Sequence, residues 1–116
     1  MNTGTSALHL ALLAADIGPG DEVITVSMTF AATTASILYV GATPVFIDVD
    51  PVSCNMEPGL IESKITSKTK AIMPVHLYGQ AADMDPILDI ALRHGLTVIE
   101  DSAQAHLARY KDRSVG

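Results

Sequence analysis

The sequence predicts an α/β fold in which alternating helices and strands form a mostly parallel sheet. Two observations carry this prediction. Four short apolar runs recur along the chain at about the spacing of one βα unit. Segments with helical periodicity precede the first run and lie between the others. Strands that alternate with helices favour parallel pairing through crossover connections.

The predicted strands are short and apolar, as expected for strands buried on both faces, and they cover residues 22–26, 44–48, 71–76 and 96–100. The predicted helices cover residues 6–17, 31–40, 59–65 and 86–94. Gly18-Pro19-Gly20 should stop the first helix, and Gly95 should end the last one after two basic residues.

One residue conflicts with this assignment. Pro74 lies inside the predicted strand 71–76, and proline has no N–H group to donate to a strand ladder. Either this strand is at an edge of the sheet, or its ladder breaks at Pro74.

Composition and charge exclude several classes of protein. The formal net charge is −6 and the basic residues are scattered, which disfavours nucleic acid or an anionic membrane as a partner. The apolar runs are too short for a membrane-spanning helix, and no secretory signal pattern follows Met1. Cys54 is the only cysteine, so no internal disulfide can form. We expect a cytoplasmic protein.

Ligands of open α/β sheets gather outside the carboxyl ends of the strands and at helix starts. At the first helix start, Thr3-Gly4-Thr5-Ser6 offers hydroxyl and backbone N–H groups suited to a phosphate. The same residues are also typical of an ordinary helix N-cap.

After the last predicted strand come two carboxylates, Glu100 and Asp101. A buried carboxylate needs a cationic partner, such as a protonated heterocycle nitrogen, whereas a solvated acidic loop or an N-cap needs none. Phe30, which follows the first strand, could stack on a flat ligand or pack in the core.

Other candidate residues favour structural roles. His76 and Tyr78 follow a strand and are interpreted first as packing or turn residues. The histidines, Cys54 and the carboxylates have no metal-type spacing, so no metal site is predicted. No phosphate-binding loop, dinucleotide fingerprint or nucleophile elbow is present.

Taken in order, six segments resemble the DegT/DnrJ/EryC1/StrS family of pyridoxal-phosphate-dependent sugar aminotransferases, which have the aspartate aminotransferase fold (fold type I). The segments are residues 2–8 (NTGTSAL), 18–24 (GPGDEVI), 29–30 (TF) with 41–48 (GATPVFID), 69–72 (TKAI), 74–79 (PVHLYG) and 100–106 (EDSAQAH). The resemblance spans nearly the whole chain.

The resemblance implies a role for each candidate site residue. Thr5 and Ser6, with their backbone amides, would hold the phosphate of pyridoxal 5′-phosphate. Phe30 would stack on the pyridine ring, and Asp101 would pair with the protonated ring nitrogen so that the ring acts as an electron sink. Gln104 would lie beside the ring near its 3′ oxygen.

The family's Schiff-base lysine follows the Asp-x-x-Gln segment, and the chain ends at Gly116 before any such stretch. Lys64, Lys68, Lys70 and Lys111 are interpreted as solvated surface residues. Residues 1–116 therefore resemble part of the large, cofactor-binding domain, without its N-terminal segment, the lysine segment and the C-terminal small domain. Leu107 departs from the family, which usually has glycine after the histidine. Apolar surface and marginal stability are expected for this piece alone.

The implied activity is transfer of an amino group, from glutamate, to a keto carbon of a nucleotide-linked sugar, as in polysaccharide or antibiotic sugar biosynthesis. The partners would be the nucleotide sugar, the amino donor and a second subunit in a homodimer. Two alternatives stay open: a sugar dehydratase of the same family, with histidine in place of the lysine, and a non-catalytic ligand-binding or regulatory module.

Overall fold

The computed structural model describes residues 2–116 and shows an α/β fold with a four-stranded parallel sheet. Its strands are β1 (Glu22–Val26), β2 (Thr43–Ile47), β3 (Thr69–Ile72) and β4 (Thr97–Val98), in the order β2-β1-β3-β4. The helices are α1 (Gly4–Ala14), α2 (Ala31–Tyr39) and α3 (Met84–His94). A separate antiparallel hairpin joins β5 (Arg109–Tyr110) to β6 (Arg113–Ser114). The predicted fold class is confirmed.

Helices cover the two faces of the sheet because successive side chains of a strand point to opposite sides. Val23 of β1 packs in one core with α1 and α2, whose contributions include Leu12 and Ile37. The next residue, Ile24, packs in the other core with Ile87 of α3. The sheet, including the carboxyl ends of its strands, is thus covered by helices on both faces.

Burial on both faces holds for β1 but is wrong for β2. Val23, Ile24 and Val26 are almost fully buried, whereas Phe46 of β2 is 43% exposed. The reason is position, because β2 is an edge strand of the described sheet. Other apolar side chains are exposed on α1 and α2, among them Leu10, Leu13, Leu38 and Tyr39. Exposed apolar side chains are therefore present on both of these helices as well as at the sheet edge.

The predicted helix over residues 59–65 is wrong. The segment forms two short 3-10 turns, Pro58–Leu60 and Glu62–Lys64. Gly59 has a low helix propensity, and so short a segment gains too few hydrogen bonds to offset the cost of helix nucleation. Ile61 anchors this segment, because its side chain is fully buried in the core between the sheet and α3.

Helix ends differ from the predicted bounds by a few residues. Helix α1 stops at Ala14 rather than at residue 17, because Asp16 adopts a left-handed conformation (φ +56°) and Ile17 N–H donates to the Leu12 carbonyl. Helix α3 ends as predicted at Gly95, whose left-handed conformation (φ +65°) is easy for glycine.

Pro74 breaks the ladder of β3, and the edge-strand alternative is wrong. Strand β3 lies between β1 and β4, and its regular pairing ends at Ile72. Pairing resumes beyond the proline, where Asp101 N–H donates to the Pro74 carbonyl and His76 N–H donates to the Asp101 carbonyl. Proline is tolerated inside the sheet because it lacks only the N–H donor, whereas its carbonyl still accepts a hydrogen bond from the neighbouring strand.

Among the described residues, no helix is both long and apolar enough to cross a membrane.

Leu107, at the position where the family usually has glycine, adopts a left-handed conformation with φ +63° and is 96% exposed. That conformation costs an L-residue about 1–2 kcal/mol. Glycine removes this cost, but its greater conformational entropy in the unfolded chain offsets about 0.5–1 kcal/mol of the gain. We therefore expect Leu107→Gly to raise the free energy of unfolding by about 0.5–1 kcal/mol in urea titrations.

A control for this change is Leu92→Gly, because Leu92 is also highly exposed, at 83%, but lies within α3. There glycine should destabilise by about 1 kcal/mol. If Leu107→Gly also lowered the free energy of unfolding, that result would contradict the backbone strain assigned to Leu107.

Candidate functional site

The order of the strands creates a crevice at one point of the sheet. The chain moves from β1 to β2 on one side and from β3 to β4 on the other, so its direction reverses between the adjacent strands β1 and β3. Ligands bind outside the carboxyl ends of the strands at such a switch point. A cavity of about 140 Å³ lies there, and its lining includes Gly4, Thr5, Phe30, Asp101, Ala103 and Gln104.

Asp101, just beyond β4, is a buried carboxylate, with only 6% of the residue exposed. Its Oδ2 atom accepts a hydrogen bond from the Thr33 hydroxyl at 2.6 Å, and its Oδ1 atom accepts one from Ala103 N–H at 3.2 Å. Within residues 2–116, no lysine, arginine or histidine forms an ion pair with it. A solvated acidic loop is therefore the wrong interpretation of Asp101, and a buried carboxylate with neutral donors suits a cationic ligand atom.

Glu100 and His76 form a pair next to this carboxylate. His76 is fully buried, and its Nε2 atom lies 2.8 Å from Glu100 Oε2. Ala82 N–H donates to Nδ1 at 3.0 Å, which assigns the proton to Nε2 because an accepting nitrogen must be unprotonated. His76 thus donates to Glu100 and joins the ends of β3 and β4, a packing role that agrees with its interpretation from sequence.

The start of α1 has the hydrogen bonds of an ordinary N-cap, the structural alternative considered for it. Thr3 is an N-cap: its Oγ1 atom accepts Ser6 N–H at 3.1 Å, and its carbonyl accepts Ala7 N–H. Among the hydrogen bonds of residues 2–116, the N–H groups of Gly4 and Thr5 have no acceptor. Two donors at a positive helix end thus have no partner within residues 2–116, an arrangement that suits an anion.

Thr5 lines the cavity, whereas Ser6 is not among the lining residues, and its hydroxyl lies 3.0 Å from that of Thr3. Gly4 sits against the loop that follows β4, since a Cβ atom there would lie 3.2 Å from Ala103 Cβ. The close approach of the helix start to this loop brings Thr5 and Asp101 to one cavity.

Phe30 and Gln104 complete the cavity lining among the predicted site residues. Phe30 is 70% exposed at the N-cap position of α2, so the core alternative for this side chain is wrong. The Gln104 Oε1 atom accepts Tyr78 N–H at 3.2 Å, which ties the loop after β4 to the turn after β3. Thr5, Phe30, Asp101 and Gln104 therefore meet, although they are far apart in sequence.

Sequence reasoning did not single out Thr33, and it named Thr29 only as part of a motif with Phe30, without a role of its own. Their hydroxyls lie 2.7 Å apart, and Thr33 contacts Asp101. A usable signal exists, because residues four apart at a helix start share one face, here next to Phe30.

A larger cavity, of about 340 Å³, lies between α3 and the hairpin, and two of its charged groups, Asp85 and Lys111, form an ion pair with each other. The hydrogen bond from Lys111 lowers the pKa of the Asp85 carboxyl, and the Asp83 carboxylate raises the pKa of the Tyr110 hydroxyl. Within residues 2–116, no side chain that lines this cavity is a buried polar group without a hydrogen-bond partner.

Lys64, Lys68, Lys70 and Lys111 are all exposed. In the described part of the chain, no three metal-ligating side chains cluster so as to hold an ion.

Comparison with known proteins gives close relatives over the whole chain. The chain is 59% identical over 113 residues to a pleiotropic regulatory protein of Geobacillus stearothermophilus, covering 97% of this chain and 30% of that protein. It is 57% identical over 115 residues to GDP-perosamine synthase of Caulobacter vibrioides, covering 99% of this chain and 31% of that protein. The chain therefore spans about a third of the length of these relatives.

Solved structures show the same fold. The chain superimposes on DesV of Streptomyces venezuelae, solved with a ketimine intermediate, with a TM-score of 0.97 and 49% identity, over 99% of this chain and 31% of that one. It superimposes on NtdA of Bacillus subtilis, solved with bound cofactor PMP, with a TM-score of 0.88 and 45% identity, over 89% of this chain and 24% of that one.

The sequence profile of one family matches residues 1–116 in full. This match agrees with the relatives and with the motifs at the cavity. The chain belongs to the DegT/DnrJ/EryC1/StrS aminotransferase family.

Proposed function

We propose that the full-length protein is a pyridoxal-phosphate-dependent aminotransferase that moves an amino group, from glutamate, to a keto carbon of a nucleotide-linked sugar. Family membership and the GDP-perosamine synthase at 57% identity support the substrate class. NtdA, which binds PMP, the amine form of the cofactor, supports the cofactor. The observation that carries the proposal is the buried Asp101 carboxylate, which lines the switch-point cavity and has no cationic side-chain partner in the described part of the chain.

The residues at the cavity fit this cofactor. The N–H groups of Gly4 and Thr5, which have no acceptor among residues 2–116, would bind its phosphate together with the hydroxyls of Thr5 and Ser6. Phe30 offers an exposed aromatic face for its ring, and Asp101 offers a negative charge for a protonated ring nitrogen. Gln104 would bind near the 3′ oxygen.

Each residue acts on a particular part of the reaction. When bound, the cofactor supplies an electron sink for the carbanion formed as the α-proton leaves the amino donor. Asp101 would hold a proton on the ring nitrogen, and Phe30 would pack against the ring. The N–H groups at the α1 start would hold the phosphate end, which would limit the movement of the cofactor in the cavity.

The parts outside this chain belong to the same proposal. We assign residues 1–116 to part of the large domain, and we place the N-terminal segment, the Schiff-base lysine and the C-terminal small domain elsewhere in the full-length protein. That lysine would act as nucleophile and proton shuttle. We also propose that the full-length protein forms a homodimer and lies in the cytoplasm.

A titration of the full-length protein tests this proposal. We expect pyridoxal 5′-phosphate to bind with a change in its absorbance, and glutamate to convert it to PMP. A keto nucleotide sugar should then return the cofactor to its aldehyde form and yield an amino sugar, identified by mass spectrometry.

Three other results would contradict the aminotransferase. A product that has lost water without gaining nitrogen would indicate the dehydratase. Cofactor binding without turnover would indicate a regulatory module, an outcome that the Geobacillus relative's name makes worth testing. Failure to bind the cofactor would refute the assignment of the cavity.

A further inference from the structure

Thr33 occupies an unusual position for a helical threonine. It is fully buried in the first turn of α2, and its hydroxyl contacts the Asp101 Oδ2 atom at 2.6 Å. A helical Ser or Thr commonly bonds a carbonyl of the preceding turn, as Ser36 does with the Thr33 carbonyl at 2.8 Å. The Thr33 hydroxyl instead bonds a side chain 68 residues further along the chain.

The hydrogen bonds around Thr33 have a defined direction. A hydroxyl has one proton, and an ionised carboxylate can only accept, so Thr33 donates to Asp101. The 2.7 Å contact with Thr29 must then be a hydrogen bond from the Thr29 hydroxyl to Thr33 Oγ1. The two threonines form a chain of donors that ends on the carboxylate, and each bond polarises the next.

The contact also has the length of a strong hydrogen bond. A separation of 2.6 Å lies in the range of charge-assisted O–H···O⁻ bonds. The second donor to Asp101, Ala103 N–H, is longer at 3.2 Å and belongs to the same loop as Asp101. Thr33 is therefore the donor that links the carboxylate to another element of the fold.

We propose that Thr33 is a positioning residue: its hydroxyl, supported by that of Thr29, sets the orientation of the Asp101 carboxylate toward the cavity. This inference rests on the proposed function, in which Asp101 meets the ring nitrogen.

The expected consequence is a loss of cofactor affinity when the hydroxyl is removed. Thr33→Val keeps the shape of the side chain but leaves Asp101 Oδ2 without its donor. A hydrogen bond to a charged group corresponds to about a ten- to hundredfold change in an equilibrium constant. We expect the Kd of the full-length apoenzyme for pyridoxal 5′-phosphate to rise by that factor, and kcat at saturating cofactor to fall. Thr33→Ser, which keeps the hydroxyl, should stay within about threefold of wild type in both.

Two further variants separate this role from packing. Thr34→Val makes the same chemical change one residue along α2, at a partly buried threonine with no contact to Asp101, and should leave Kd and kcat unchanged. Thr29→Val removes the outer donor at a partly buried position and should raise Kd by about three- to tenfold. It provides the test if Thr33→Val does not fold. The melting temperature of each apoenzyme reports structural damage directly.

The outcomes are distinguishable. Wild type that fails to bind the cofactor refutes the proposed function, and this inference with it. Wild type that binds, with a Thr33→Val or Thr29→Val variant that binds and turns over equally well, refutes only the positioning role. Equal losses in Thr33→Val and Thr33→Ser, accompanied by lower melting temperatures, would also overturn it by showing a packing role.

Discussion

Asp101→Asn in the full-length protein is expected to reduce kcat by about a hundred- to a thousandfold, the usual cost of losing one preorganised electrostatic partner. Asparagine has the size of aspartate but no charge to hold a proton on a ring nitrogen. Both carboxylate oxygens accept hydrogen bonds here, from Thr33 and Ala103, so the amide NH₂ group would face a donor. Steady-state kinetics at saturating cofactor, together with the melting temperature, measure the two effects separately.

A matched control is Asp48→Asn. Asp48 also follows a strand, but its side chain is exposed. The same chemical change there should leave kcat within about twofold, because exposed substitutions away from a site have small effects. A folded Asp101→Asn variant with undiminished turnover would refute the role assigned to Asp101.

Ile72→Ala is expected to lower the free energy of unfolding by about 2–5 kcal/mol. Ile72 lies in β3, between two neighbouring strands, and is fully buried in the core on the α3 side. Truncation removes apolar surface from this core and leaves a cavity that the surrounding strands cannot fill. Native-state hydrogen exchange of the β1 and β3 amides measures the loss locally, which suits a protein with further domains.

Two substitutions calibrate that result. Ile72→Val, which removes a single methylene group, should cost about 0.5–1.5 kcal/mol. Val52→Ala changes a side chain that is 90% exposed and should stay within about 0.5 kcal/mol of wild type. If Ile72→Ala and Val52→Ala cost the same, the central position of β3 in the core would be contradicted.

Local signals predicted the elements with strong periodicity or clear end signals. The buried strand β1 and the left-handed glycine that ends α3 were both predictable. The α-helix predicted for residues 59–65 was wrong. Their apolar side chains have helical spacing, but the segment is too short for a stable α-helix and contains Gly59 in its first turn. Exposure of β2 was not predictable, because an edge strand and a central strand can have the same apolar pattern.

The candidate site shows the same division. Residue type and strand-end position marked Thr5, Phe30, Asp101 and Gln104, and the resemblance gave each a role. Neither source predicted the hydrogen bond between Thr33 and Asp101, because the partners are 68 residues apart and their contact depends on which strands are neighbours.

By itself the sequence determined the α/β class, the family and the kinds of side chain available after each strand, because these depend on local periodicity and on motifs within short segments. Only the tertiary structure decided that Asp101 is buried with no cationic partner among residues 2–116 and that α2 supplies its donor. The physical reason is the strand order β2-β1-β3-β4: long-range pairing puts the ends of β1, β3 and β4 side by side, and no local pattern specifies that order.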